Sequence, residues 1–169
     1  MTMGNAPVYN HPAQESVQVK PELIKLLTFI LDGEEYAVDI LKVQEIIGII
    51  EITPVPKTKP YIKGVINLRG YIIPVIDLRK LFEMAEIKYT DLTCIVIIKS
   101  GGITMGLIVD MVSDVIDVGT ANLQKTPDFG VSVKTAFINS IVKSEHKPKY
   151  LINLEKIIGI DENSVNMNT

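Results

Sequence analysis

Few side chains in this sequence could do chemistry, and their spacing argues against most reactions. The two histidines, His11 and His146, stand far apart, one in a polar N-terminal stretch and one in a loop between apolar runs. Neither accompanies a serine or cysteine in a recognisable nucleophile motif. The single cysteine, Cys94, sits in the apolar run Leu92-Thr93-Cys94-Ile95-Val96-Ile97-Ile98. That run reads as a core strand, and a buried structural thiol explains Cys94 better than a nucleophile does. No cysteine–histidine spacing suits zinc. Asp110, Asp114 and Asp117 cluster in sequence but lack the glycine-bearing loop of alternating oxygen ligands that calcium requires. They read as solvated carboxylates on a helical turn. No glycine-rich loop leads into Lys-Ser/Thr to cradle a phosphate. By its own residues the chain reads as a non-enzyme with no cofactor and no bound metal.

The most distinctive segment is Gly64-Val65-Ile66-Asn67-Leu68-Arg69-Gly70, followed by Ile73-Pro74-Val75-Ile76-Asp77-Leu78-Arg79. On residue types alone it reads as a well-made hairpin, with Asn67 and Gly70 shaping the turn and Arg69 keeping the tip soluble. A docking role for the tip is the alternative.

The elements that hold this hairpin come in two similar sets. Gly33-Glu34-Glu35-Tyr36-Ala37-Val38 and Val43-Gln44-Glu45-Ile46-Ile47 align with Gly102-Ile103-Thr104-Met105-Gly106-Leu107 and Val112-Ser113-Asp114-Val115-Ile116 at an offset of 69 (102 − 33 and 112 − 43). Pro74-Val75-Ile76-Asp77-Leu78 aligns with Tyr150-Leu151-Ile152-Asn153-Leu154 at an offset of 76 (150 − 74), so the second half carries a short insertion. Hairpins are expected around Asp32-Gly33, around residues 67–70, around Ser100-Gly101-Gly102 and across 144–149. Residues 40–47 and 112–115 carry a helix-like spacing, and 49–52 read as a strand. Pro74 argues for an edge position or a bulge in its strand. Asp77 and Asn153 are expected N-caps of equivalent short helices. The expected architecture is all-β, with two small five-stranded barrels packed along a shared apolar interface. Their expected limits are residues 22–88 and 89–160, with strand exchange between them possible. A flexible arm over 1–21 and a flexible tail over 161–169 flank them.

Composition narrows the function. Hydrophobic residues make up 47% of 169, ample for a core, and the net charge of −3 gives no footprint for nucleic acid. No apolar run approaches the roughly 20 residues needed to cross a bilayer, and the N-terminus lacks a signal-peptide pattern. One cysteine fits a reducing compartment, so a cytoplasmic protein is expected.

The sequence closely resembles the CheW family of bacterial chemotaxis coupling proteins. The match rests on Tyr61-Ile62-Lys63-Gly64-Val65-Ile66-Asn67-Leu68-Arg69-Gly70, on Ile73-Pro74-Val75-Ile76-Asp77-Leu78-Arg79, and on Gly106-Leu107-Ile108-Val109-Asp110 with Val112-Ser113-Asp114-Val115. It runs from about residue 23 to about residue 160. The resemblance implies two SH3-like barrels and a non-enzymatic adaptor joining the regulatory domain of the histidine kinase CheA to chemoreceptor tips in membrane-associated arrays. It implies no nucleic-acid partner and no direct membrane insertion. It associates Val43, Glu45, Gly64, Asn67, Arg69, Gly106 and Val115 with receptor engagement, in a groove at the seam, and assigns no residue to the kinase. The proline-rich stretch 53–60 and the strand expected before it are the candidate neighbourhood for the kinase. Gly64→Asp is expected to weaken receptor binding with the fold largely intact, and Arg69 is expected to pair with Glu45. A nucleic-acid-binding barrel and a small-ligand sensor using the seam are the alternatives from other classes.

Overall fold

The computed structural model describes residues 22–126 and 136–165, with Gly4 and Pro7. The rest of the expected arm and the last residues of the expected tail fall outside these. Strands β1 (Leu23–Leu31) and β2 (Glu34–Asp39) form the first hairpin, and a 3-10 turn over Ile40–Lys42 leads into β3 (Val43–Gly48). Strands β4 (Ile62–Leu68) and β5 (Tyr71–Asp77) form the second hairpin, followed by α1 (Leu78–Leu81). The second repeat supplies β6 (Cys94–Ser100), β7 (Ile103–Val109), β8 (Met111–Gly119), β9 (Leu123–Lys125), β10 (Ile138–Val142), β11 (Lys149–Ile152) and α2 (Leu154–Val165). Both expected caps are in place. Asp77 accepts from the backbone of Arg79 and Lys80 at 3.0 and 3.4 Å, and Asn153 accepts from Lys156 at 3.2 Å.

The helix-like stretches are strands. In β3 the half-buried positions are Val43, Glu45 and Ile47, while Ile46 faces outward and is 41% exposed. An inward glutamate and an outward isoleucine disguise the period of two. In β8 Asp114 and Val115 are both exposed, which likewise masks the alternation. Residues 49–52 form no strand; the segment reaches the sheet only where Thr53 bridges Val65. Helix α2 runs to Val165, beyond the expected start of the tail. Pro74 lies in an interior strand, but the ladder of β5 with β7 begins one residue later, at Val75. Pro74 therefore sits where its missing N–H has no ladder to break.

Two sheets result, one of six strands in the order β8-β1-β2-β11-β10-β9 and one of five in the order β3-β6-β7-β5-β4. The first has six because β8 continues through a 3-10 turn over Thr120–Asn122 into β9, which lies at the opposite edge, so that one stretch of chain joins the sheet's two edges. The equivalent continuation of β3 contributes only the Thr53 bridge to β4. A division at residue 88 separates the repeats and not the sheets, because each repeat lends its first hairpin to the other's sheet. Hairpin β1–β2 pairs with β8 and β11, and hairpin β6–β7 pairs with β3 and β5. The registers repeat as well. Val43 opposes Ile98 as Val112 opposes Phe29, and Val75 opposes Gly106 as Leu151 opposes Ala37.

The exchange places one core between the sheets. Tyr36 is fully buried and stacks on Phe29 and Phe82, with ring centroids 6.0 and 5.7 Å apart, and lies 5.5 Å from Tyr150. Leu27, Val38, Val96, Met105, Leu107 and Ile157 join the same cluster, so it draws on both repeats. The interior of the seam is thus a packed core drawn from both repeats.

A charged clamp ties the seam at its rim. Asp110 is the single residue between β7 and β8, where the chain passes from one sheet to the other. Arg79, only 9% exposed, donates from Nε and Nη2 to the two carboxylate oxygens of Asp110, both at 2.7 Å, and from Nη1 to the Ala85 carbonyl at 2.7 Å. Asp110 also accepts from the Asp32 backbone in the β1–β2 turn at 2.9 Å. Hydrogen bonding to Asp110 raises the Arg79 pKa above its ordinary value, against the opposing effect of burial. Asp110 is therefore not the solvated helix-turn carboxylate of the sequence reading; Asp114 and Asp117 are exposed but lie on strand β8. Replacing Arg79 by leucine strands a partly buried carboxylate and should cost about 2–4 kcal/mol. Urea unfolding of Arg79→Leu, Asp110→Asn and the double variant checks this, and strong coupling within the cycle is the expected result.

Candidate functional site

The hairpin tip is a two-residue turn, Arg69-Gly70, with φ of 52° and 87°. Positive φ at both positions is what a tight hairpin twist demands, and glycine meets it without steric cost at the second. Asn67 closes the turn, its Oδ1 accepting from the Gly70 backbone at 2.9 Å. Asn67 is thus a turn-shaping residue.

Arg69 reaches from this tip to β3, where its Nη2 donates to Glu45 Oε1 in an ion pair. The Arg69 side chain is 70% exposed and that of Glu45 is 30% exposed. The contact joins opposite edges of the five-stranded sheet, since β3 and β4 end its strand order. Beside it lies an apolar flank the sequence reading missed. Tyr71 and Ile72, at the start of β5, are 75% and 65% exposed. Two apolar residues placed immediately after a turn glycine were the available signal. Ordered charges next to exposed apolar side chains suit a docking face better than a reaction centre.

The remaining expected residues separate. Val43 is half-buried against the seam core, on the same side of β3 as Glu45. Gly64 is buried at a bulge in β4 with φ of 147°, and a Cβ there would lie 2.2 Å from the Thr53 carbonyl oxygen. The close approach it permits is to the chain's own backbone, where Thr53 and Val65 exchange two hydrogen bonds of 2.9 Å. Gly106 is buried beneath Ile95 and Val75, whose methyl groups would lie 2.7 and 3.3 Å from an added Cβ. Val115 is 46% exposed on β8 in the other sheet. Its partner by the repeat is Ile46 (115 − 46 = 69), not Val43. Cys94 is half-buried at the start of β6, with Sγ 3.2 Å from the Leu92 carbonyl oxygen, and is less enclosed than a core thiol.

Among the described residues, no group of three or more His, Cys, Asp and Glu could hold a metal ion, and no helix is long and apolar enough to cross a membrane. Two interlocked β-barrels carrying an ordered, partly apolar surface hairpin define a protein of the docking-module class. The CheW-like domain family matches residues 25–162, and the chain belongs to that family. It is 42% identical over 142 residues to the chemotaxis protein CheW of Bacillus subtilis, covering 83% of this chain and 85% of that protein. It is 36% identical over 138 residues to the CheW of Klebsiella aerogenes, covering 82% and 83%. The crystal structure of the scaffolding protein TtCheW from Thermoanaerobacter tengcongensis superimposes with a TM-score of 0.73 at 36% identity, covering 81% of this chain and 88% of that one. The protein is a chemotaxis coupling adaptor, and these similarities favour neither a nucleic-acid-binding barrel nor a small-ligand sensor.

Gly64→Ala forces Thr53 away from β4 and should lower stability by about 2 kcal/mol or more, a backbone clash being among the costly classes of substitution. Arg69→Ala should cost at most about 1 kcal/mol, as for exposed ion pairs generally. Thermal unfolding of the two variants side by side checks the contrast, which reverses the expectation that Gly64 can be replaced with the fold left intact.

Proposed function

We propose that the Arg69 hairpin and the adjoining face of β3 bind a chemoreceptor tip, and that a separate surface binds the regulatory domain of CheA. The observation that supports this most is the Arg69–Glu45 pair. It fixes a long, exposed cation that would otherwise keep its rotamer freedom, and it does so beside the apolar flank of Tyr71 and Ile72. An amphipathic receptor helix would bind by laying apolar anchors along such a flank with charges at its edge. Val43, Glu45, Asn67 and Arg69 act at this face. Gly64 and Gly106 act behind it, by allowing the barrel beneath to close. Val115 stands on the other barrel, outside this face. The kinase surface includes the proline-rich segment 53–60, exposed throughout and lacking backbone donors at Pro54, Pro56 and Pro60. Recruitment by these two partners places the protein at membrane-associated receptor arrays without inserting in the membrane.

Binding of a receptor-tip fragment and of the CheA regulatory domain to the purified protein tests the reading. Arg69→Ala should weaken the receptor fragment by about tenfold or more, the scale of a lost charge-assisted anchor. The same variant should leave kinase binding unchanged and move the melting temperature by only a few degrees. Arg69→Lys should not restore full binding, because lysine lacks the planar fork. Competition of the two partners for one site, or loss of binding in proportion to loss of stability, would overturn it.

A further inference from the structure

Strands β3 and β8 are equivalents in the repeat, and both carry the same bulge, β3 between Val43 and Glu45 and β8 opposite Thr28 and Phe29. They are not held equally. The Thr28 hydroxyl donates to the Asp114 carbonyl at 3.1 Å and accepts from the Asp114 backbone at 3.0 Å, stapling the bulge of β8 to β1. At the equivalent place Glu45 opposes Ile97, which has no polar side-chain atom. The crossover into β8 is fixed by Asp110, gripped by Arg79. In the crossover into β3 the residue equivalent to Asp110 is Leu41 (110 − 69), 87% exposed, and the residue equivalent to Arg79 is Glu155 (79 + 76), also exposed. The Asp110 backbone donates to Ile30 of β1 at 3.1 Å, whereas the Leu41 backbone donates only to its neighbour Asp39, at 2.9 Å. No residue of β3 is fully buried. Among the described residues, the one side-chain bond β3 makes outside its ladder is that of Glu45 to Arg69.

We infer that β3 is a yielding edge strand whose observed position depends on the Arg69–Glu45 pair, while its repeat equivalent β8 is fixed. The pair then does more than orient the hairpin. A partner that takes the charge of Arg69 or of Glu45 releases β3, and a local binding event at the tip becomes a displacement of the strand leading back through the Ile40–Lys42 turn to the shared core. The response to a partner rests on the docking reading above; the unequal hold on the two strands does not.

Amide hydrogen exchange on the full chain, free in solution, tests the inference. Amides of residues 45–48 should exchange at least about tenfold faster than those of 114–117, as expected where local opening is cheaper. Arg69→Ala should speed exchange in β3 a further two- to fivefold or so, the equivalent of an exposed ion pair, and leave β8 unchanged. Thr28→Val should do the converse, raising exchange in β8 and not in β3. Equal protection of the two strands, or an Arg69→Ala effect that spreads to β8, overturns the inference. A saturating receptor-tip peptide should then alter exchange in β3 and not in β8. Failure of that peptide to bind would refute the docking reading while the free-chain comparison still decides the inference.

Discussion

Everything in this molecule depends on the exchange of hairpins between its repeats. Each half of the chain is too small to enclose a generous core alone, and a unit of such size is marginal by itself. Lending β1–β2 to one sheet and β6–β7 to the other makes each sheet a product of both halves. It also brings Phe29, Tyr36, Phe82 and Tyr150 into one aromatic cluster between the sheets. The hydrophobic gain is thereby shared, and neither barrel can open without exposing part of the other.

On this symmetric frame the polar ties are asymmetric. Arg79 and Thr28 secure one crossover and one edge strand through short bonds in a partly buried setting. Their repeat equivalents, Glu155 and Ile97, cannot do so. The strand left less secured is the one facing the Arg69 hairpin. Duplication thus provides two copies of an edge, one anchored by the fold and one left for a surface ion pair to hold. An adaptor in which binding must be felt elsewhere needs some part that can yield, and a uniformly clamped barrel would offer none.

Much of this was legible in the sequence, and what was not has physical reasons. The duplication, the hairpins around Asp32-Gly33 and residues 67–70, the caps at Asp77 and Asn153, and the Arg69–Glu45 pair could all be read, because each is local or carried by a family motif. Strand β3 and residues 112–115 of β8 read as helical because Glu45 is half-buried and Ile46 and Val115 face outward, against the alternation that marks a strand. The exchange of hairpins leaves no trace in the alignment, since swapped and unswapped connections produce the same repeat. The Arg79–Asp110 clamp joins residues 31 positions apart across that exchange, so it was invisible until the topology was known. Gly64 was expected to accept a side chain with the fold largely intact, because nothing in a proline-rich loop announces that Thr53 packs against it.

The interdependence of the halves can be measured by dividing the chain where the repeats meet, after Lys88, and following each fragment by circular dichroism and NMR. Each fragment then lacks the hairpin its own sheet requires. Both should be unfolded when separate and should recover the native spectrum when mixed at equal concentration. A fragment that folds cooperatively alone would contradict the account, because a repeat that closes its own barrel would have no need of its neighbour's strands.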